Sequence, residues 1–275
     1  MRRLVLKEHS TSGPALRRGW TLNHLTLVQF IALLLPVLAS FYARGSVVIP
    51  VGGAAIASAL VWEAIFAQLR QRSISFHGIT TGMIVAIIAP GDADLGHIVL
   101  AVSFGAVLAE LVFGGRGFGF LNAGVAALAF LLFSFPGIAL GGASLPVALA
   151  AVPGGLLLLA AGFISWRVIV ATLAGFAGIS LLINPTVDPV AAATVLSFPV
   201  FFLICDPFSA ASTNPGRWLY GLLAGGMAAL FLSARGMDNG SDALVFAALT
   251  SGLFAPLLDE FVLRVLARVR EAWRG

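Results

Sequence analysis

The side chains able to do chemistry are few and clustered. Between Cys205 and Tyr220, in CDPFSAASTNPGRWLY, lie Asp206, Ser209, Ser212, Thr213, Asn214 and Arg217, while the flanking runs Pro189–Cys205 and Trp218–Ser233 are nearly all apolar. Asp206 is able to cap or pair, and Arg217 is the charge facing it within the loop. The stretch reads as a cytoplasmic surface for a partner or an ion path, with a plain connector as the alternative. Pro207 turns Asp206 out of helical backbone. Pro215 suits the first turn of the next helix, and Trp218 and Tyr220 are expected at the membrane–water boundary.

A second stretch, GGRGFGFLN at Gly114–Asn122, is glycine-rich but lacks the strand–turn–helix setting of a dinucleotide site. It is either a turn or a set of backbone N–H groups at a helix start, open to a phosphate or quinone oxygen, with Asn122 as its polar side chain. The acids within apolar runs are Glu63, Glu110 and Asp259, with Glu260 beside the last. A charge at the bilayer centre costs roughly 2.5–3.5 kcal/mol, so each is a functional candidate. Arg70, Arg72 and Arg116 stand close enough in sequence to pair with Glu63 and Glu110. Asp259 follows Pro256, and a helix break beside an acid suits a cation or proton site. His77 and His97 are isolated and read as boundary residues. No Ser-His-Asp or paired-carboxylate arrangement is evident.

The elements that carry these residues are membrane helices. Hydrophobic residues make up 59% of the chain and charged residues 10%, against about 25% charged in soluble domains, and the mean hydropathy is +1.01. One cysteine, Cys205, excludes an internal disulfide and argues against a metal or iron–sulfur site built by this chain alone. The pI near 10.2 does not signal nucleic acid, because the basic residues sit in short loops and at the ends.

Ten apolar segments are expected: Leu25–Ala43, Val47–Leu69, Phe76–Pro90, Leu95–Phe113, Phe120–Phe135, Val147–Ile164, Val168–Ile183, Pro189–Cys205, Trp218–Ser233 and Leu244–Leu266. The fold class is therefore all-α, a polytopic membrane protein of about ten transmembrane helices, some short or broken. A membrane domain over 25–266 lies between an N-terminal segment, 1–24, and a tail, 267–275. With the N-terminus in the cytoplasm, 14 of the 16 Lys and Arg residues fall inside and only Arg44 and Arg235 outside. Both termini are then cytoplasmic, in a bacterial-type inner membrane. The first 24 residues carry no apolar signal-peptide core. Gly221 and Gly225 form a small-xxx-small pair. A faint echo links Gly114–Phe130 with Asn214–Leu230, too weak to assert a repeat.

Three stretches together resemble the NqrB/RnfD family, the flavin-carrying membrane subunits of sodium-translocating NADH:quinone oxidoreductase and of the Rnf complex. LVFGGRGFGFLNAGVAALAFLLFSFP, Leu111–Pro136, is similar to that family's EVFGG-x-G-x-x-FLNPA run, with Leu111 where the family's Glu stands and Glu110 adjacent. ISWRVIVATLAG, Ile164–Gly175, is the second stretch, and FFLICDPFSAASTNPGRWLYG, Phe201–Gly221, the third and most specific. LFAPLLDEF, Leu253–Phe261, resembles the family's last helix.

The resemblance implies ten helices and an outer-side flavin mononucleotide, FMN, esterified through its phosphate to the Thr of a Ser-Gly-Ala-Thr motif. PGIALGGASLP, Pro136–Pro146, occupies that place, so Gly142, Ala143 and Ser144 become cofactor candidates beside Asn122. Ser144 replaces the Thr, Gly141 the Ser, and Ile138 the Asp six residues earlier. These departures count against a covalent bond and leave non-covalent FMN open. The implied function is that of one subunit of an ion-translocating oxidoreductase complex. Its partners would be other membrane and soluble redox subunits, quinone and the lipid bilayer. Coupling to Na+ or H+ would run past Asp206, Arg217, Asp259 and Glu110. A flavin-free permease on the same scaffold and a structural anchor for a redox partner are the alternatives.

Overall fold

The computed structural model describes residues 22–71, 74–142, 144–184, 188–235 and 240–272, all helix and connecting loop. The basic residues of the first 21 positions, Arg72, Ala143, Asp238 and Arg274 lie outside them. The helices are α1 (Leu22–Arg44), α2 (Val48–Arg70), α3 (His77–Ile88), α4 (Leu95–Phe104), α5 (Ala123–Ser134), α6 (Leu145–Ala161), α7 (Trp166–Ile183), α8 (Pro189–Pro199), α9 (Asn214–Arg235) and α10 (Gly240–Ala272). A single 3-10 turn, Gly45–Val47, separates α1 from α2. Both α4 and α8 continue as π-helices, Gly105–Leu111 and Val200–Ile204.

Each expected apolar segment overlaps one helix, but their lengths differ widely. Four stretches are long and apolar enough to cross a membrane: Asn23–Arg70, which the 3-10 turn divides, Trp166–Ile183, Asn214–Ala234 and Gly240–Arg268. The others are shorter, and α3 and α5 have 12 residues each. At about 1.5 Å per residue such helices extend only about 18 Å. They are buried along nearly their whole length, where surrounding protein covers the backbone that ends at membrane depth.

The packing repeats across two halves. In the first, α1 packs on α3, α2 on α4, α3 on α5 and α4 on α5. The second follows the same order, with α6 on α8, α7 on α9, α8 on α10 and α9 on α10. Contacts of α1 with α6 and of α5 with α10 join the halves. The α2–α3 contact of the first half has no counterpart of similar extent between α7 and α8. This pairing sets α5 against α10 and α4 against α9. The echo between Gly114–Phe130 and Asn214–Leu230 therefore links elements that do not correspond.

Side chains finish the helix ends. Asp94, Asn122 and Asp188 cap α4, α5 and α8 by accepting from backbone N–H groups. At the other end of α3, Arg44 donates to the carbonyls of Ala86, Ile87 and Ala89 and to Ser40 Oγ. Those carbonyls are the ones a helix C-terminus leaves unpaired. α10 runs unbroken through Pro256, so the break expected there is absent. Pro256 lies on an exposed face of the helix, and a proline within a membrane helix is tolerated where local adjustment satisfies the freed carbonyl.

Close approach between α7 and α9 depends on Gly221 and Gly225. A Cβ on Gly225 would run into the Thr172 carbonyl oxygen, and one on Gly221 would meet Ala171 Cβ 2.6 Å away. At Gly226 the nearest atom is Ile179 Cγ1 at 3.6 Å, ordinary contact. Gly225→Ala is expected to destabilise the protein by ~1–3 kcal/mol through overpacking. Gly226→Ala should be neutral or gain up to ~1 kcal/mol in helix propensity. Melting of the two purified variants in the same detergent checks this, and equal shifts would contradict the packing.

Candidate functional site

At the end of the bundle where α1 starts and α2 finishes, loops from both halves meet around Arg116. This residue follows the π-helical end of α4, where Gly114, Gly115 and Gly117 take φ values of 128°, 96° and 91°. These lie in the left-handed region that glycine adopts without a Cβ penalty. The tight turn swings Arg116 inward, and it is buried with 6% of its surface exposed.

The guanidinium reaches three elements. Its Nη2 donates to Asp206 Oδ1 at 3.2 Å and to Gln29 Oε1 of α1 at 2.9 Å. Its Nη1 donates to His77 Nε2. The Phe208 ring lies 4.7 Å from its central carbon, within cation–π range. Nε is buried without a hydrogen-bond partner. Asp206, 2% exposed, also accepts from the backbone N–H groups of Phe208 and Ser209. Asp206 is thus held by Arg116 from the first half, whereas sequence proximity favoured Arg217.

The donor fixes the tautomer of His77. Arginine only donates, so His77 Nε2 accepts and the ring is neutral with its proton on Nδ1. Nδ1 then donates to Thr80 Oγ1, 2.7 Å away, and the threonine hydroxyl donates to the His77 carbonyl. Glu110 Oε2 lies 3.6 Å from Nε2. Glu63, 8% exposed, accepts from Ser75 N, Ser75 Oγ and Gly78 N, so it anchors the start of α3. The arginine partners expected for Glu63 from sequence are replaced by these backbone and hydroxyl donors. Glu63, His77, Thr81 and Glu110 line a cavity of about 10 Å³, room for about one water or one small cation.

The remaining candidates lie elsewhere. Asn122 Oδ1 accepts from Gly124 N and Val125 N, so the oxygen expected to face a ligand instead caps α5. Asp259 accepts from Ser212 N, Thr213 N and Thr213 Oγ1, tying α10 to the loop before α9. Arg217 Nε donates to the Ala211 carbonyl. Tyr220 is wholly buried and donates to the Ile204 carbonyl, while Trp218 is partly exposed, so only the tryptophan sits where an interfacial ring would. At the opposite end, Gly142 (φ 92°) lies against Ile87 and Ile88, and Gly141 N donates to the Ile88 carbonyl. Ser144 precedes α6 without capping it. Ala143 lies outside the described residues. Among the described residues no three His, Cys, Asp or Glu side chains converge as metal ligands.

The NQR2, RnfD, RnfE family model matches residues 9–144 and 137–267, nearly the whole chain and divided close to the boundary between the two halves. The chain belongs to this family. Similar proteins include a Na(+)-translocating NADH-quinone reductase subunit of Ectopseudomonas mendocina, 30% identical over 77% of this chain and 66% of that protein. The subunit of the same name from Pseudomonas paraeruginosa is 29% identical over 90% of this chain and 72% of its own length. That of Pseudoalteromonas atlantica is 28% identical over 73% of this chain and 63% of its length.

The family motifs of the sequence meet in the Arg116 cluster. Arg116 and Glu110 come from the glycine-rich run and Asp206 from the Asp-Pro block. Gln29, His77 and Glu63 escaped notice as members of one site, although a lone polar residue inside an apolar run is a signal for each. Removing one partner strands a buried charge, which costs ~3–5 kcal/mol. Asp206→Ala is therefore expected to lower stability by that amount, and adding Arg116→Met should restore part of it. Melting of the single and double variants checks this, and additive losses would contradict direct pairing.

Proposed function

We propose that this chain is a membrane subunit of an electron-transfer complex that couples redox chemistry to movement of Na+ or H+. The observation that carries the proposal is the buried cluster at the cytoplasmic end. Arg116 and Asp206, from opposite halves, pair there beside a cavity of one-ion size that two carboxylates, Glu63 and Glu110, line with the neutral His77. Intramembrane ionisable groups of this kind mark ion and proton paths. The relatives are named as subunits of Na(+)-translocating NADH-quinone reductase, which supports the same reading. Soluble and membrane redox subunits would deliver and accept the electrons, quinone being the acceptor the relatives' name implies. The positive-residue asymmetry supports a plasma-membrane location with both termini inside.

Glu110 is the residue we assign to the ion step. Glu63 is held by three donors, whereas Glu110 borders the cavity next to His77 and Arg116. Arg116 is assigned the role of holding a fixed positive charge there, which keeps a cation from resting too tightly. Asp259 and Arg217 are assigned to the support of the loop between α8 and α9.

The outer loop fits a phosphate-linked flavin. The Ser144 hydroxyl does not cap α6, and Arg44 Nη1 stands 3.4 Å from where a Cβ on residue 141 would sit. A phosphoester on Ser144 would thus meet a guanidinium nearby, and Gly141 and Gly142 keep the approach clear of side chains. When bound there, FMN supplies the redox chemistry and the chain supplies position and charge.

In the assembled complex, Glu110→Gln should lower turnover about tenfold or more, or raise by a similar factor the Na+ concentration at half-maximal rate, by loss of a charge–ion contact. Wild-type turnover at every Na+ concentration and pH would exclude Glu110 from coupling. On a denaturing gel the wild-type band should fluoresce as a flavin and the Ser144→Ala band should not. A colourless wild-type protein, purified with its partners, would favour the flavin-free permease.

A further inference from the structure

The loop before α7 and the loop between α8 and α9 enclose a cavity of about 230 Å³, separate from the Arg116 cluster. Ser165, Val168, Cys205, Ala210 and Arg217 line it. The Ser165 hydroxyl is buried with no hydrogen-bond partner. It precedes α7 without capping it, and the backbone carbonyl of the same residue already accepts from Val168 N and Ile169 N. A buried hydroxyl left unpaired costs about 1–3 kcal/mol, so its retention calls for a partner.

The surroundings specify the partner's charge. Arg217 lies in the wall, where it feels the positive charge of Arg167 and the negative charge of Asp259, which does not line the cavity. The Asp259 oxygens are already engaged by Ser212 and Thr213. The first turn of α7 adds unpaired N–H groups and the positive end of its dipole. An oxyanion would accept from Ser165 and Arg217 together and relieve the arginine–arginine repulsion.

The rim specifies where the ligand comes from. Trp166 and Trp218 are 50% and 37% exposed and meet edge to face at 5.8 Å. The Arg167 guanidinium lies 5.2 Å from the Trp166 ring. Paired tryptophans flanked by arginine mark the level of lipid headgroups. Exposed apolar side chains, Val170 and Leu173 of α7 with Leu219 and Leu222 of α9, continue from this rim along the bundle. Basic pockets between helices on the cytoplasmic side take anionic headgroups.

We propose that this cavity is a binding site for a phosphate monoester or diester, supplied by an anionic phospholipid of the cytoplasmic leaflet. The phosphate sits between Ser165 Oγ and Arg217, and the acyl chains lie along α7 and α9. The proposal does not depend on the redox reading.

Native mass spectrometry of the full chain in detergent tests it with phosphatidylglycerol, phosphatidylcholine and inorganic phosphate as separate probes. The wild type should retain phosphatidylglycerol about tenfold more tightly than Arg217→Gln, the loss expected for one charge-assisted hydrogen bond. Arg217→Lys should recover part of the binding, and Ala210→Leu, which fills the cavity, should abolish it. Phosphatidylglycerol adducts that millimolar inorganic phosphate fails to displace identify the lipid as source. Adducts with inorganic phosphate alone overturn the lipid source in favour of a soluble phosphate ligand. Unchanged phosphatidylglycerol binding in both Arg217→Gln and Ala210→Leu, at wild-type melting temperature, overturns the site altogether. Because Ala210→Leu leaves the arginine in place, a folding failure of Arg217→Gln alone still leaves a decisive measurement.

Discussion

The ion pair between Arg116 and Asp206 is the interaction on which this end of the bundle, where α1 starts and α2 finishes, depends. Both side chains are almost wholly removed from solvent, where an isolated charge is expensive. The two therefore have to meet, and meeting requires that the loop after α4 and the loop after α8 face one another. Those loops belong to opposite halves of the chain. The pair also fixes the rest of the cluster, because the same guanidinium sets the His77 tautomer and engages Gln29. Glu63 anchors the start of α3, the helix that carries that histidine, by accepting from Gly78 N.

The short helices explain why such a cluster forms where it does. α3 and α5 have only 12 residues each and begin inside the packed bundle. The unpaired N–H groups at the starts of α3 and α5 need acceptors, and Glu63 and Asn122 supply them, while Asp206 accepts from the loop after α8. The polar side chains that finish the helices leave Glu110 and one small cavity among them. At the opposite end Arg44 closes α3 and stands beside the loop at Gly141.

Much of this was legible in the sequence. Hydropathy located every helix, and the family motifs marked the two loops that meet. What composition hid was the pairing across halves: Arg217 sits eleven positions from Asp206 in sequence, yet Arg116 takes it, because the glycine turn at Gly114–Gly117 points that arginine inward. His77 looked like a boundary residue since its partners come from distant segments. Asp259 and Pro256 suggested a broken helix, but α10 continues through the exposed proline, and the acid found backbone donors instead. Asn122 was correctly placed at a helix start and given the wrong partner, because a cap and a ligand contact use the same oxygen.

Hydrogen exchange of the Asp206→Asn variant tests most directly whether the arginine joins the two halves. The amides of Ser75 and Gly78, together with those of 114–120, belong to the first half and touch Asp206 only through Arg116 and its neighbours. The account predicts faster exchange at these positions as well as in 206–213, since losing the carboxylate charge loosens the guanidinium and the histidine behind it. Faster exchange confined to 206–213, with the first half unchanged, would contradict it.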